Sequence, residues 1–168
     1  DADLLEQYFG TAADMVWPVS CPAADDTVHA PLLDEEYVLF VGGYYQPNLE
    51  AIEYLARRIA PHVRRKIVVA GSKLGPLQVR YAGSDQLVVL DSPPNLAPLY
   101  QHANLVLAPV FSGGGIKTKI IEALSYGKFV VASPAAAVGF EHVSHDCLAI
   151  AHCDQDYIDM INSSQRSL

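Results

Sequence analysis

From Tyr37 onward, apolar residues gather into short unbroken runs, each followed by a mixed segment. The runs are "YVLFVGG" (37–43), "KIVVAGS" (66–72), "QLVVLDS" (86–92), "NLVLAPV" (104–110), "KFVVASP" (128–134) and "CLAIAH" (147–152). Short runs rich in valine and isoleucine read as strands, and their lack of polar alternation predicts burial on both faces. The segments between them follow a different period. "PNLEAIEYLARRIAPHV" sets Ile52, Leu55, Ala56 and Ile59 at helical spacing. "PNLAPLYQHA" (94–103) predicts a short helix with proline near its start. "KTKIIEALSYG" (117–127) predicts a helix that Gly127 closes, and "DQDYIDMINSSQ" opens another. Alternating strands and helices of this kind predict an open, parallel α/β sheet with flanking helices.

The pattern is weaker before Tyr37. "ADLLEQYFGTAA" predicts one short helix, and residues 14–36 read as linker. Val16, Trp17 and Val19 suggest a short strand there, and Pro18, Pro22 and Pro31 interrupt anything longer. The expected division is a linker or residual N-terminal segment over 1–35, then a domain over 36–168 truncated at its C-terminal helices. The chain opens at Asp1 without a methionine, so a second domain or a membrane-binding element is expected outside it.

Composition narrows the classes. A chain of 168 residues with 51% apolar and 18% charged residues suits one domain with a continuous core. The formal charge of -8 is the wrong sign for a nucleic-acid partner. Charge is also segregated. Residues 1–36 carry nine acids and no lysine or arginine, and Lys117, Lys119 and Lys128 form a basic island of their own. Cys21, Cys147 and Cys153 show no CxxC pairing and no metal-ligand spacing, which predicts reduced thiols and a cytoplasmic setting. His142 and His145 lack any HExxH context, so no metal is expected.

In an open α/β sheet, ligands lie beyond the C-terminal ends of the strands. Gly42, Gly43, Gly71, Ser72, Asp91, Ser92, Pro109, Ser112 and Ser133 all fall there, as does "SGGGIK". Gly113, Gly114 and Gly115 let the backbone take positive φ and approach a ligand closely. Amides around Gly115, Ile116 and Lys117 at a helix start would favour an anion. Lys117 and Lys119 add point charges suited to phosphate. Glu122, one helical turn after Lys119, suits the hydroxyls of a ribose or sugar and would repel phosphate. A tight packing turn at the glycines, and a plain surface pair of Lys119 with Glu122, are the structural alternatives. Neither GxxxxGK[ST] nor GxGxxG is present. The residues alone therefore point to a phosphate-bearing ligand with hydroxyls, near the fourth strand.

The stretch "VLAPVFSGGGIKTKIIEALSYGKFVVASPAAAVGF", with "VLFVGGYYQPNLEAIEYL" and "IVVAGS" upstream, resembles the nucleotide-sugar-binding half of a GT-B glycosyltransferase, glycosyl transferases group 1 or family 4. The resemblance covers roughly residues 36–160. It implies a Rossmann-like sheet forming one half of a two-domain fold, with an N-terminal domain as partner. It implies a nucleoside-diphosphate sugar as substrate, with no cofactor and no metal. Glu122 matches the glutamate that holds the donor ribose, and Lys119 matches a lysine facing the diphosphate. Gly42 and Gly43 match the glycine turn after the first strand. Lys73 supplies one part of a basic pair, and Asp91 and Ser92 open the loop that passes the base. Two departures stand out. A second glutamate, eight positions before Glu122, is Gly114 here, and the first loop holds Tyr44, Tyr45 and Gln46 without an arginine.

The reaction so implied moves a sugar from a nucleoside diphosphate to a hydroxyl of a sugar, lipid-linked or protein acceptor, typically with retention. Lys119 and Glu122 are its expected catalytic groups, and Gly42, Gly43, Lys73, Asp91, Ser92, Gly113 to Lys117, Lys119 and Glu122 its expected donor contacts. The expected location is the cytoplasm, or the membrane periphery through regions outside this chain. A donor-binding domain without transfer, a nucleotide-sugar epimerase of similar fold and a regulatory α/β module are the alternatives.

Overall fold

The computed structural model describes residues 2–12 and 19–164. Helix α1 (Ala2–Phe9) comes first, and residues 19–36 carry no helix or strand. Of the strand suggested around Trp17, Val16 and Trp17 lie outside the described residues and Val19 is irregular and exposed. Then come β1 (Tyr37–Val41), α2 (Gln46–Tyr54), β2 (Lys66–Gly71), α3 (Gly75–Arg80), β3 (Leu87–Asp91) and α4 (Ala97–His102). The chain continues with β4 (Val106–Ala108), α5 (Thr118–Ser125), β5 (Val130–Ala132), α6 (Pro134–Ala137), β6 (Leu148–Ile150) and α7 (Asp154–Ser163).

All six strands pair in parallel, in the order β3-β2-β1-β4-β5-β6. The chain runs outward from β1 to one edge, returns, and runs outward from β4 to the other. The reversal between β1 and β4 is the switch point at which such sheets open a crevice. Burial follows the apolar runs. Val38, Leu39, Phe40, Ile67, Val68, Val69, Val106, Leu107, Val130 and Val131 have no solvent exposure. Both faces of the central strands are covered, as unbroken apolar runs require.

Helix α2 does not stop at Tyr54. A π turn (Leu55–Ile59) and a 3-10 turn (Ala60–His62) prolong it, so Ile52, Leu55 and Ile59 all reach the core. Helices α3 and α6 were not expected from the pattern. Each is short, has a proline at its first or second position, and lacks a full amphipathic repeat. Gly127 adopts φ 65 just beyond α5, in the left-handed conformation its closing role needs.

The segment before β1 is tied down, although it is irregular. Gln101 of α4 donates to Asp25 O (2.9 Å) and Thr27 O (2.7 Å) and accepts from His29 N (3.1 Å). His102 meets His29 O at 2.8 Å, and His29 pairs with Asp25. The His29 contact holds the Asp25 carboxyl down at about 2. No described helix is long and apolar enough to cross a membrane.

Candidate functional site

A crevice of about 510 Å³ opens beyond the C-terminal ends of β1, β2 and β3. Its floor is Val41, Gly42, Gly43, Gly71 and Ser72; Ser92, Pro93 and Leu96 close one end. Thr118, Lys119 and Glu122 of α5 form the opposite wall, with Asn48 of α2 beside them. The return from β3 to β4, beside β1, brings the α5 that follows β4 to these strand ends, so residues far apart in sequence line one crevice.

Lys119 is partly buried. Its ammonium donates to Asn48 Oδ1 at 2.6 Å and lies 4.2 Å from the centre of the Phe40 ring. Burial, then repulsion from Lys117, lower its pKa from the ordinary 10.5 to about 8, while Glu122 opposes the shift. Glu122 has a different partner. Its Oε2 accepts from the Tyr100 hydroxyl at 2.9 Å, and Tyr100 is fully buried and stacked on Tyr126. Burial and the Glu122 charge drive the Tyr100 pKa upward, so the phenol stays a donor. Among the described residues no ion pair joins Lys119 to Glu122. The plain surface pair is therefore not what the helix makes: each group is held from a different element and turned to one crevice.

The other expected residues divide between wall and support. Gly42, Gly43 and Ser92 line the crevice; Lys73 and Asp91 are not part of its lining and adjoin Ser92. Asp91 Oδ1 accepts from Leu74 N at 2.7 Å and from the Ser92 hydroxyl at 2.8 Å, and Lys73 N donates to Ser92 Oγ at 3.2 Å. Lys73 and Ser92 both take positive φ, 62 and 48. A non-glycine residue in that region costs roughly 1 kcal/mol or more, and such strain gathers at functional sites.

Gly113, Gly114, Gly115, Ile116 and Lys117 lie outside the crevice lining. Gly113 and Gly115 do take positive φ, 87 and 77. The turn this produces directs three carbonyls at one lysine: Lys117 Nζ donates to the oxygens of Gly113 (2.8 Å), Gly114 (3.3 Å) and Gly115 (2.9 Å). Helix α5 begins at Thr118, past the amides expected to open it. The Lys117 ammonium thus serves the loop itself in this structure.

Asn48, Tyr100 and Thr118 escaped sequence reasoning. Asn48 gave no local signal, since a polar residue is ordinary in the first turn of a helix. Tyr100 gave none either, since a tyrosine in a short apolar helix reads as core packing. Among the described residues no cluster of histidine, cysteine, aspartate or glutamate could hold a metal ion.

A model of the family described as glycosyl transferases group 1 matches residues 35–163. No curated protein matches the sequence. Among solved structures, the chain is similar to Alr3699/HepE of Anabaena in complex with UDP and glucose (TM-score 0.58, 19% identity, 77% of this chain and 38% of that one). It is similar to TarM (TM-score 0.60, 17% identity, 85% of this chain and 30% of that one). It is similar also to the catalytic domain of starch synthase IV from Arabidopsis thaliana, bound to ADP and acarbose (TM-score 0.54, 11% identity, 85% and 34%). At these identities the likeness shows the fold: a parallel, Rossmann-like sheet, one half of a GT-B architecture. The chain spans well under half the length of each of these proteins.

Proposed function

Because the chain belongs to the glycosyl transferases group 1 family, we propose that it is the donor-binding half of a glycosyltransferase that moves a sugar from a nucleoside diphosphate to a hydroxyl acceptor. One observation carries the reading. An ammonium and a carboxylate one helical turn apart face the same crevice at the C-terminal ends of the strands, each held by its own partner. The ammonium suits a diphosphate, and the carboxylate suits ribose hydroxyls.

In this reading Glu122 accepts hydrogen bonds from the ribose through Oε1, while Tyr100 occupies Oε2. Lys119 faces the diphosphate. As the glycosidic bond breaks, negative charge grows on the departing diphosphate, and a fixed ammonium at low local dielectric stabilises that state more than the ground state. Gly42, Gly43, Ser72 and Thr118 give close backbone approach and small polar groups. Asp91 and Lys73 act by shaping the Ser92 turn, and Gly113 to Lys117 form the outer edge beside Thr118. Retention of anomeric configuration belongs to the same proposal. The acceptor contacts and closure over the donor come from the other half of the architecture. Tyr44, Tyr45, Phe111 and Ile116, exposed after β1 and β4, are the surface it would cover.

A donor-binding domain without transfer is the second reading, favoured by the exposed Gly114 at the position where the family resemblance expects a carboxylate. Titration calorimetry with UDP-, GDP- and ADP-sugars tests the binding step. One of them is expected to bind, and E122A to abolish most of that affinity. Failure of all three, or an E122A protein with unchanged affinity, sinks the donor site. Turnover of the bound sugar by a longer chain carrying both halves separates transfer from mere binding, and the anomer of its product, read by NMR, decides retention.

A further inference from the structure

Both ends of the Asn48 amide are used. Nδ2 donates to Gly43 O at 3.0 Å, and Oδ1 accepts from Lys119 Nζ at 2.6 Å. These partners fix the orientation, since a flipped amide would set NH2 against an ammonium and oxygen against a carbonyl. The amide has room because residue 42 is glycine: a β-carbon there would lie 2.7 Å from Asn48 Cγ. Gly43 is needed for another reason, since its β-carbon would lie 2.6 Å from Ser72 Oγ. The ammonium also rests on the Phe40 ring. Three elements therefore converge on one cation: α5 supplies it, β1 gives it an aromatic floor, and α2 gives it an oxygen.

We infer that Asn48 is the positioning residue of Lys119, holding the ammonium at the crevice wall where a diphosphate would meet it. A lysine stem is long and flexible, and its charge is useful at a fixed point only when something fixes it. Asn48 does so while adding no charge, so the ammonium keeps its attraction for an anion. A carboxylate at the same place would neutralise it. The charged groups acting on Lys119 are Lys117, just before α5, and Glu122, one turn along it. From α2 and β1 it meets Asn48 and Phe40, both uncharged. The purpose assigned to Asn48 rests on the donor-site reading; its contact with Lys119 does not.

The test uses the whole chain, labelled with 13C-lysine, and follows the Lys119 titration by NMR in the wild type and in Asn48→Ala, with Lys119→Met giving the assignment. The Asn48→Ala midpoint is expected about one pH unit lower, because an accepted hydrogen bond favours the ammonium form. Asn48→Asp is the second variant, and its carboxylate is expected to raise the midpoint by about one unit or more. A folded variant of either kind with an unmoved midpoint overturns the inference. The binding readout is Kd for whichever of UDP, GDP and ADP the wild type holds most tightly. Asn48→Ala is expected to weaken it about tenfold in the wild-type background and less than about twofold beside Lys119→Met, because positioning acts only through the lysine. Equal losses in both backgrounds also overturn it. Shifted midpoints with no nucleotide bound uphold the role of Asn48 and refute the donor reading instead.

Discussion

Raising the pH should loosen the donor, and Lys119 sets by how much. Its pKa is about 8. Below that value the free chain already carries the ammonium, and binding finds it charged. Above it, the free chain must take up a proton before the ammonium can meet a diphosphate, at about 1.4 kcal/mol per pH unit. A unit charge 4 Å away, at an effective dielectric constant near 20, is worth roughly 4 kcal/mol, enough to keep the bound lysine protonated across this range. Kd then rises about twofold by pH 8 and about tenfold by pH 9 relative to pH 7. Calorimetry with the tightest-binding nucleotide sugar, in two buffers of different ionisation enthalpy, measures both the affinity and the proton uptake. Nearly one proton should enter per donor bound at pH 9. Lys119→Met should bind weakly and show a flat profile. Equal affinities at pH 7 and 9 without proton uptake, or the same slope in Lys119→Met, would refute the reasoning.

Three further outcomes follow from named contacts. Glu122→Ala should weaken donor binding about ten- to a hundredfold, the worth of a charge-assisted hydrogen bond to a ribose hydroxyl, while circular dichroism stays native. Gly71→Ala should lower the melting stability by about 1–3 kcal/mol, because the added carbon would lie 2.3 Å from Gly42 O, a backbone atom that cannot swing aside. Gly83→Ala, whose β-carbon would meet nothing within 4 Å, is the control and should change little. Gln101→Ala should cost about 1–3 kcal/mol and expose residues 25–29 to hydrogen exchange and limited proteolysis, since it removes the side-chain amide that holds Asp25, Thr27 and His29.

The sheet was legible because its strands are buried on both faces, and that condition writes itself as unbroken apolar runs. Strand ends were less so. The seven-residue run 104–110 yields only Val106–Ala108 as strand, because burial continues past the last ladder bond and apolar character does not mark where pairing stops. Helices α3 and α6 left little trace, since four to six residues cannot show an amphipathic period. At the site, Lys119 and Glu122 could be singled out from their charges beside a glycine loop. Their partners could not. Asn48 lies 71 residues from Lys119, and Tyr100 lies 22 from Glu122. Lys117 shows the limit most clearly. A lysine beside three glycines reads as an anion ligand, yet positive φ at Gly113 and Gly115 turns the carbonyls inward, and the ammonium satisfies them.

That separation of partners bears on why the site is built across the switch point. Lys119 and Glu122 are close enough on one helix to pair with each other, and an exposed pair of that kind is worth only a few tenths of a kcal/mol. Pairing would cancel both charges and leave the crevice nothing to offer an anion or a hydroxyl. The fold prevents it by giving each a separate anchor. Asn48 draws the lysine toward β1 and α2, and Tyr100 draws the glutamate toward α4. Helix α5 follows β4, the strand that the chain reaches on its return to the sheet centre, and it meets both anchors. The burial of Lys119 costs stability below its pKa, by up to about 3 kcal/mol for a fall from 10.5 to about 8. The cost fades as the pH climbs through that window, because the unfolded chain then holds the proton more tightly than the folded one. At pH 7 the burial of the ammonium opposes stability, and the Asn48 hydrogen bond and the Phe40 ring offset part of that cost. In the proposed donor site, the diphosphate that fills the crevice offsets the rest.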